Sequence, residues 1–195
     1  MSSASRSRTE VAQRLRAVLL DPEAAAALDV HGRIDAAVLV PLYLKDGDLH
    51  AVFTRRRDDL RRHAGEISFP GGRQDPDDAD LAATALREAE EEIALDPAAV
   101  TLAGALAPVS TFVSGYRVHP FVGTVADPLE LGLEPNPTEV ETVLTFSLEI
   151  LREGYAMRRL IRRGIPLHTP TYEVDGALIW GATARILADL LARLG

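Results

Sequence analysis

The chain has 195 residues, no cysteine, 47% apolar and 26% charged residues, and a net charge of −8. That length suits one domain with a substantial core. The absence of cysteine excludes disulfides and thiol chemistry, and the negative charge disfavours nonspecific nucleic-acid binding, which needs a positive face. No apolar run approaches the ~20 residues of a membrane span. The N-terminus Met-Ser-Ser-Ala-Ser-Arg-Ser-Arg lacks the apolar core of a secretion signal. The expectation is a cytoplasmic protein that engages no membrane.

Residues 1–6 are expected to be disordered and residues 7–195 to form a single domain. Ser7 and Glu10 can make a capping box for a first helix striped by Val11, Leu15, Val18 and Leu19. Residues 36–44 read as an apolar strand, Asp46-Gly47 as a hairpin turn, and residues 50–54 as the returning strand. Ile67 and Phe69 suggest a short strand stopped by Pro70-Gly71-Gly72. Ala82, Leu86, Ala89 and Ile93 recur at helical spacing, with Asp77, Asp78 and Asp80 as caps upstream and Pro97 beyond the end. That helix is expected to start near residue 79 or 80. Strand-like runs follow near residues 100–107, 118–125 and 140–146. Ser147 is placed to cap a short helix ending at Glu153, residues 161–171 suggest a small hairpin or loop, and Ile186, Leu187, Leu190, Leu191 and Leu194 stripe a last helix. Mixed strands with helices on either side predict an α+β protein, a mixed sheet in an α/β/α sandwich.

The chemistry concentrates in residues 87–95, Arg-Glu-Ala-Glu-Glu-Glu-Ile-Ala-Leu. Glu88, Glu91 and Glu92 stand at i, i+3 and i+4, side by side on one helix face, where like charges repel. A divalent cation with a taste for oxygen ligands would offset that repulsion. A solvated acidic face is the competing reading. Two features weigh against it: the apolar stripe anchors the other side of the helix, and Gly71-Gly72 upstream lets backbone approach a ligand closely.

These residues resemble the signature of Nudix hydrolases. Gly72, Arg87, Glu88, Glu91, Glu92 and Leu95 fall on its fixed positions. Ala94 replaces its late glycine, Ala89 stands at its first bulky apolar position, and its early glutamate is missing, with Asp78 or Asp80 as the nearest acids. A second block is similar to the motif of the coenzyme A pyrophosphatase branch, with Thr54, Arg56, Arg61, Gly65 and Phe69 to Gly72 in register. There Arg57 replaces the usual serine, and Val52-Phe53 replace two leucines. The segment Ile179-Trp180-Gly181-Ala182-Thr183-Ala184-Arg185 resembles the same branch.

The resemblance implies the Nudix fold, Mg²⁺ or Mn²⁺ as cofactor, and cleavage of coenzyme A or an acyl-coenzyme A to 3′,5′-ADP and 4′-phosphopantetheine or its acyl form. Glu88, Glu92 and Glu91 are the expected metal ligands, with a backbone carbonyl of Gly71 or Gly72 beside them. Arg87 is expected to orient the helix through charge-assisted bonds. The general base is left open between a helix glutamate such as Glu91 and an acid of the run Glu134-Pro-Asn-Pro-Thr-Glu139-Val-Glu141, with Glu139 first. Guanidinium forks suit phosphate, so Arg56 and Arg61 are expected to bind substrate beside Gly72, with Arg117 as a weaker candidate. His63 reads as a bystander. Two alternatives stay open: hydrolysis of another nucleoside diphosphate compound such as ADP-ribose or NADH, and a catalytically silent binding module of the same fold. The chain admits a homodimer as well as a monomer.

Overall fold

The computed structural model describes residues 3–59, 65–111, 115–162 and 165–195, the side chains of residues 3–8, 162 and 165 aside. Its centre is β1 (Ile34–Lys45), an almost wholly apolar strand buried on both faces. Such a run belongs in the middle of a sheet covered on both sides. Strand β2 (Asp48–Arg56) returns antiparallel through Asp46-Gly47, both with positive φ (52° and 88°), as the hairpin signal requires. β3 (Ile67–Ser68) pairs with β2, and β4 (Gly71–Arg73) pairs with β1, placing Gly71 opposite Val38 and Gly72 opposite Ala37. β5 (Thr101–Ala105) and β6 (Val109–Ser110) pair with β7 (Tyr116–Thr124), which lies parallel to β1. β8 (Val140–Ser147) pairs with β2 and completes a mixed eight-stranded sheet.

Residues of β1 alternate between two cores. Ala37 and Leu39 join the core under α3 (Leu81–Ile93), to which Ala25 of α2 (Pro22–Ala26) also belongs. Val40 and Leu42 join the opposite core, built with Leu15 of α1 (Ser3–Arg16), Leu148 and Leu151 of a short helix, and Ile186, Leu187 and Leu190 of the last helix. Those two are α5 (Leu148–Glu153), capped by Ser147 Oγ as expected, and α6 (Gly181–Leu194). A brief α4 (Pro128–Leu131) lies in the crossover to β8. Helices on both faces of one mixed sheet bear out the expected sandwich.

Two expectations need correction. The first helix begins at Ser3 and runs through Ser7, so the Ser7–Glu10 box is not its start; Met1 and Ser2 lie outside the described residues. The hairpin expected over residues 161–171 is present but longer, and it belongs to a second antiparallel sheet of three strands, β9 (Tyr155–Arg162), β10 (Ile165–Val174) and β11 (Ala177–Ile179). Its centre, Tyr172 and Val174, is buried in the α6-side core. Alternation is hard to see in Arg158-Arg159-Leu160-Ile161-Arg162 because no described residue of this edge strand is buried and even Ile161 is exposed. No described helix is long and apolar enough to cross a membrane.

Candidate active site

Helix α3 is fixed at both ends. Asp80, extended at the N-cap, accepts from Ala83 N at 2.8 Å, so the helix begins at Leu81, a residue or two later than expected. Thr84, fully buried, bonds back to Asp78 Oδ2 and to the Asp80 carbonyl. Ala85, Ala89 and Ile93 pack against the sheet with no exposure. The helix ends before Pro97, at Ala94, whose φ of 54° is left-handed. That is the conformation glycine adopts cheaply after a helix, which explains the late glycine of the resembling signature and gives the alanine here a local cost.

The last carbonyls of α3 would be orphans by helix geometry alone. They are taken by the loop that follows α4. Glu134 N bonds to Ile93 O, Asn136 N to Glu92 O at 2.8 Å, and Asn136 Nδ2 to Glu91 O at 3.1 Å. Asn136 therefore fastens this loop to the acidic helix and delivers Glu139 to it. Nothing about an isolated asparagine between two prolines pointed to that role.

Arg87 works as a clamp. Its Nε and Nη2 donate to both oxygens of Asp78, at 2.9 and 3.1 Å, in a bidentate pair. Its Nη1 donates to Glu88 at 3.1 Å and Glu91 at 3.0 Å, and its Nη2 to the carbonyl of Arg73. These bonds tie α3 to β4 and to the Asp-rich loop. The bonds to Arg87, helped by Asp75 N and the Thr84 hydroxyl, hold the Asp78 carboxyl far below the usual carboxylate range in spite of its burial, and the Arg87 guanidinium is correspondingly raised. Asp78, not the capping Asp80, is thus the acid partnering Arg87.

Three carboxylates converge beyond that clamp. Glu92 is 6% exposed, and burial pushes its carboxyl up to about 8, against the lowering effects of Arg56 and the Gly71 N–H, which donates to its Oε2 at 3.3 Å. Burial also raises Glu88, again against Arg87. Glu88 and Glu139 each act on Glu92, and Glu139 acts on Glu88. Arg56 stands among them, with Nη1 3.8 Å from Glu92 and Nη2 3.3 Å from Glu139. A Cβ on Gly72 would collide with the Glu88 carboxylate, so this position is held open for the acid.

Among the described residues no three carboxylates or imidazoles close into a ready-made metal cluster. The donor set nonetheless fits a hard divalent cation: all oxygen, partly desolvated, and compensated in part by an arginine too far from Glu92 to hydrogen-bond it. Glu91 is more exposed than Glu88 and Glu92, 57% at its side chain, and is engaged by Arg87.

The other expected residues fall into place unevenly. Arg61 and His63 lie outside the described residues. Arg56 reaches the acidic cluster, and its Nε is buried with no hydrogen-bond partner among the described residues. Arg55 and Arg57 instead secure the Asn136 loop, Arg55 by an ion pair with Glu141 at 3.2 Å and Arg57 through the carbonyl of Pro137. Arg117 is not brought to the carboxylates of α3. Asp35 binds it in a bidentate pair at 2.6 and 3.0 Å, which lowers the Asp35 carboxyl. His119 beside them is buried, its Nε2 3.4 Å from Asp35 without hydrogen-bond geometry, and burial lowers its pKa.

Comparisons with known proteins agree with this arrangement. The NUDIX domain model matches residues 33–164. The chain is 41% identical over 157 residues, 80% of its length and 77% of theirs, to proteins of Yersinia pestis and Yersinia pseudotuberculosis named uncharacterized Nudix hydrolase NudL. Among solved structures it is similar to the M. smegmatis Nudix hydrolase RenU, with TM-score 0.52 and 20% identity over 63% of this chain and 75% of that one. It is also similar to the NUDIX domain of Shewanella oneidensis NrtR, solved with ADP-ribose, with TM-score 0.50 and 17% identity over 69% and 88%. These two likenesses concern the fold. The clamp, the acidic helix and the matched family together place this chain in the Nudix hydrolase family.

Proposed function

We propose that this enzyme hydrolyses the diphosphate of coenzyme A or its acyl derivatives, using Mg²⁺ or Mn²⁺, to give 3′,5′-ADP and 4′-phosphopantetheine or its acyl form. The observation that carries the reading is the convergence of Glu88, Glu92 and Glu139 around Arg56. Glu88 and Glu92 would hold the cation, with Glu91 at the outer edge. When bound, the cation supplies charge neutralisation on the diphosphate and a more acidic bound water. Arg87 keeps the carboxylates oriented through Asp78 and the β4 backbone. Arg56 would turn from the carboxylates to a phosphate oxygen, since a planar fork of donors serves either partner. Glu139, half exposed and held by the Arg56 guanidinium at 3.3 Å, would accept the proton of the attacking water.

The choice of coenzyme A rests on the block Thr54, Arg56, Arg61, Gly65 and Phe69 to Gly72. Product analysis tests it. With coenzyme A, ADP-ribose, NADH and a nucleoside triphosphate offered separately beside Mg²⁺ or Mn²⁺, metal-dependent release of 3′,5′-ADP from coenzyme A is expected. Turnover confined to another diphosphate would keep the acidic helix and discard the coenzyme A assignment.

A further inference from the structure

A cavity of about 360 Å³ lies on the sheet face opposite α3, between β3, β7, β10 and the start of α6. Its size is that of a small-molecule site. The walls are mainly apolar, with Phe69, Val118, Leu167, Trp180 and Ile186 among them. Hydroxyls of Ser110 and Thr183 punctuate the lining. Gly71 belongs both to this lining and to the acidic site, where its N–H meets Glu92. The cavity and the acidic site are therefore neighbours that share Gly71.

The chemistry of the walls decides which arm of a diphosphate substrate fits there. A nucleoside with a 3′-phosphate carries a dianion, yet Glu66 lines the cavity along with His168, and Arg185, the guanidinium among the described lining residues, already donates to the Ser110 carbonyl. Burial lowers the Arg185 pKa, the mark of a cation kept from water. The arginine placed to take a phosphate, Arg56, stands by the acidic helix instead. An arm of methyl and methylene groups broken by amides matches apolar walls with scattered hydroxyls.

We propose, on the basis of the function inferred above, that this cavity holds the pantetheine arm of the substrate, its acyl group included. The ADP half then lies on the arginine side of the diphosphate.

Trp180 is the sole tryptophan of the chain, so its fluorescence reports this cavity alone. Full-length protein with Mg²⁺ is titrated with 4′-phosphopantetheine and, separately, with 3′,5′-ADP. A saturable change in Trp180 emission with phosphopantetheine and none with 3′,5′-ADP is expected. The reverse pattern would give the cavity to the nucleoside and overturn the proposal, as would silence of Trp180 toward both. Ala182→Phe, which fills the cavity wall, is expected to raise KM for butyryl-coenzyme A by about tenfold, a loss of the size a blocked apolar subsite produces; an unchanged KM in the folded variant would also overturn it. Absence of coenzyme A turnover would defeat the proposed function separately, and a Trp180 response to phosphopantetheine would then still support the cavity assignment.

Discussion

Two arginine–carboxylate pairs lie on either side of α3 and behave in opposite ways. Arg87 meets Asp78 through two bonds at 2.9 and 3.1 Å, and the Asp78 carboxyl is driven down. Arg56 stands 3.8 Å from Glu92, and the Glu92 carboxyl is driven up to about 8. Both carboxylates are nearly inaccessible, 6% and 7% exposed at the side chain. Burial alone therefore does not decide the sign. Asp78 has donors on both oxygens, whereas Glu92 has one backbone N–H, a distant guanidinium and two repelling glutamates. The first pair is a finished structural joint. The second is an electrostatic deficit that a bound cation would remove.

The largest way to break this contrast is Glu92→Gln. It is expected to lower kcat/KM by about a thousandfold, or ~4 kcal/mol of transition-state stabilisation, while the cation-free protein melts no lower near neutral pH, because a carboxyl raised to about 8 is already largely neutral there and the amide is its isostere. Steady-state kinetics beside a thermal melt checks both, and retained turnover would remove Glu92 from the ligand set. Asp78→Asn should act the other way round, costing about 2–3 kcal/mol of stability by loss of a charge-assisted, part-buried pair, read by urea unfolding. Its pH dependence follows from the sign. A depressed carboxyl contributes stability that is present above the unfolded pKa near 3.8 and is lost as pH falls toward the folded one. The acid limb of the stability curve should flatten in Asp78→Asn, and an unaltered limb would contradict the clamp.

Arg56→Ala sharpens the comparison from the other partner. KM for the diphosphate substrate is expected to rise by about tenfold, the worth of one charge-assisted contact, with little change in unfolding free energy; a melt lowered as much as by Asp78→Asn would make Arg56 structural instead. The smallest effect is at the helix end. Ala94→Gly should stabilise by about 1 kcal/mol by relieving a left-handed alanine, measured by the urea midpoint, and a neutral or destabilising result would show that the Cβ packs usefully.

Much of this was legible because it is written in local patterns. The apolar run of β1, the Asp46-Gly47 turn and the acidic face of α3 opposite Ala89 and Ile93 all follow from patterns within one element, although the helix buries Ala85 more fully than the expected Ala82 and Leu86. The bonds of Arg87 to Glu88 and Glu91 join helix neighbours, whereas its pair with Asp78 reaches nine residues back into the preceding loop. The grip of Asn136 on Glu91 and Glu92 was not legible, because it joins positions 45 residues apart. Nor was the capture of Arg117 by Asp35, 82 residues away on the neighbouring strand. The edge strand β9 escaped because its arginines hide its period. The choice between Asp78 and Asp80 was open in sequence, and it was closed by geometry: one side chain turns toward helix amides, the other toward a guanidinium.

The central strand also has a consequence for how such an enzyme could change. Position 37 of β1 faces the core that carries the acidic helix, while position 38 lines the cavity on the far side. Neighbouring codons thus address separate tasks. Replacements at Val38 can reshape the room for a substrate arm without touching the packing under Glu88 and Glu92, and replacements at Ala37 do the reverse. A single strand read by parity lets specificity drift while the chemistry is conserved.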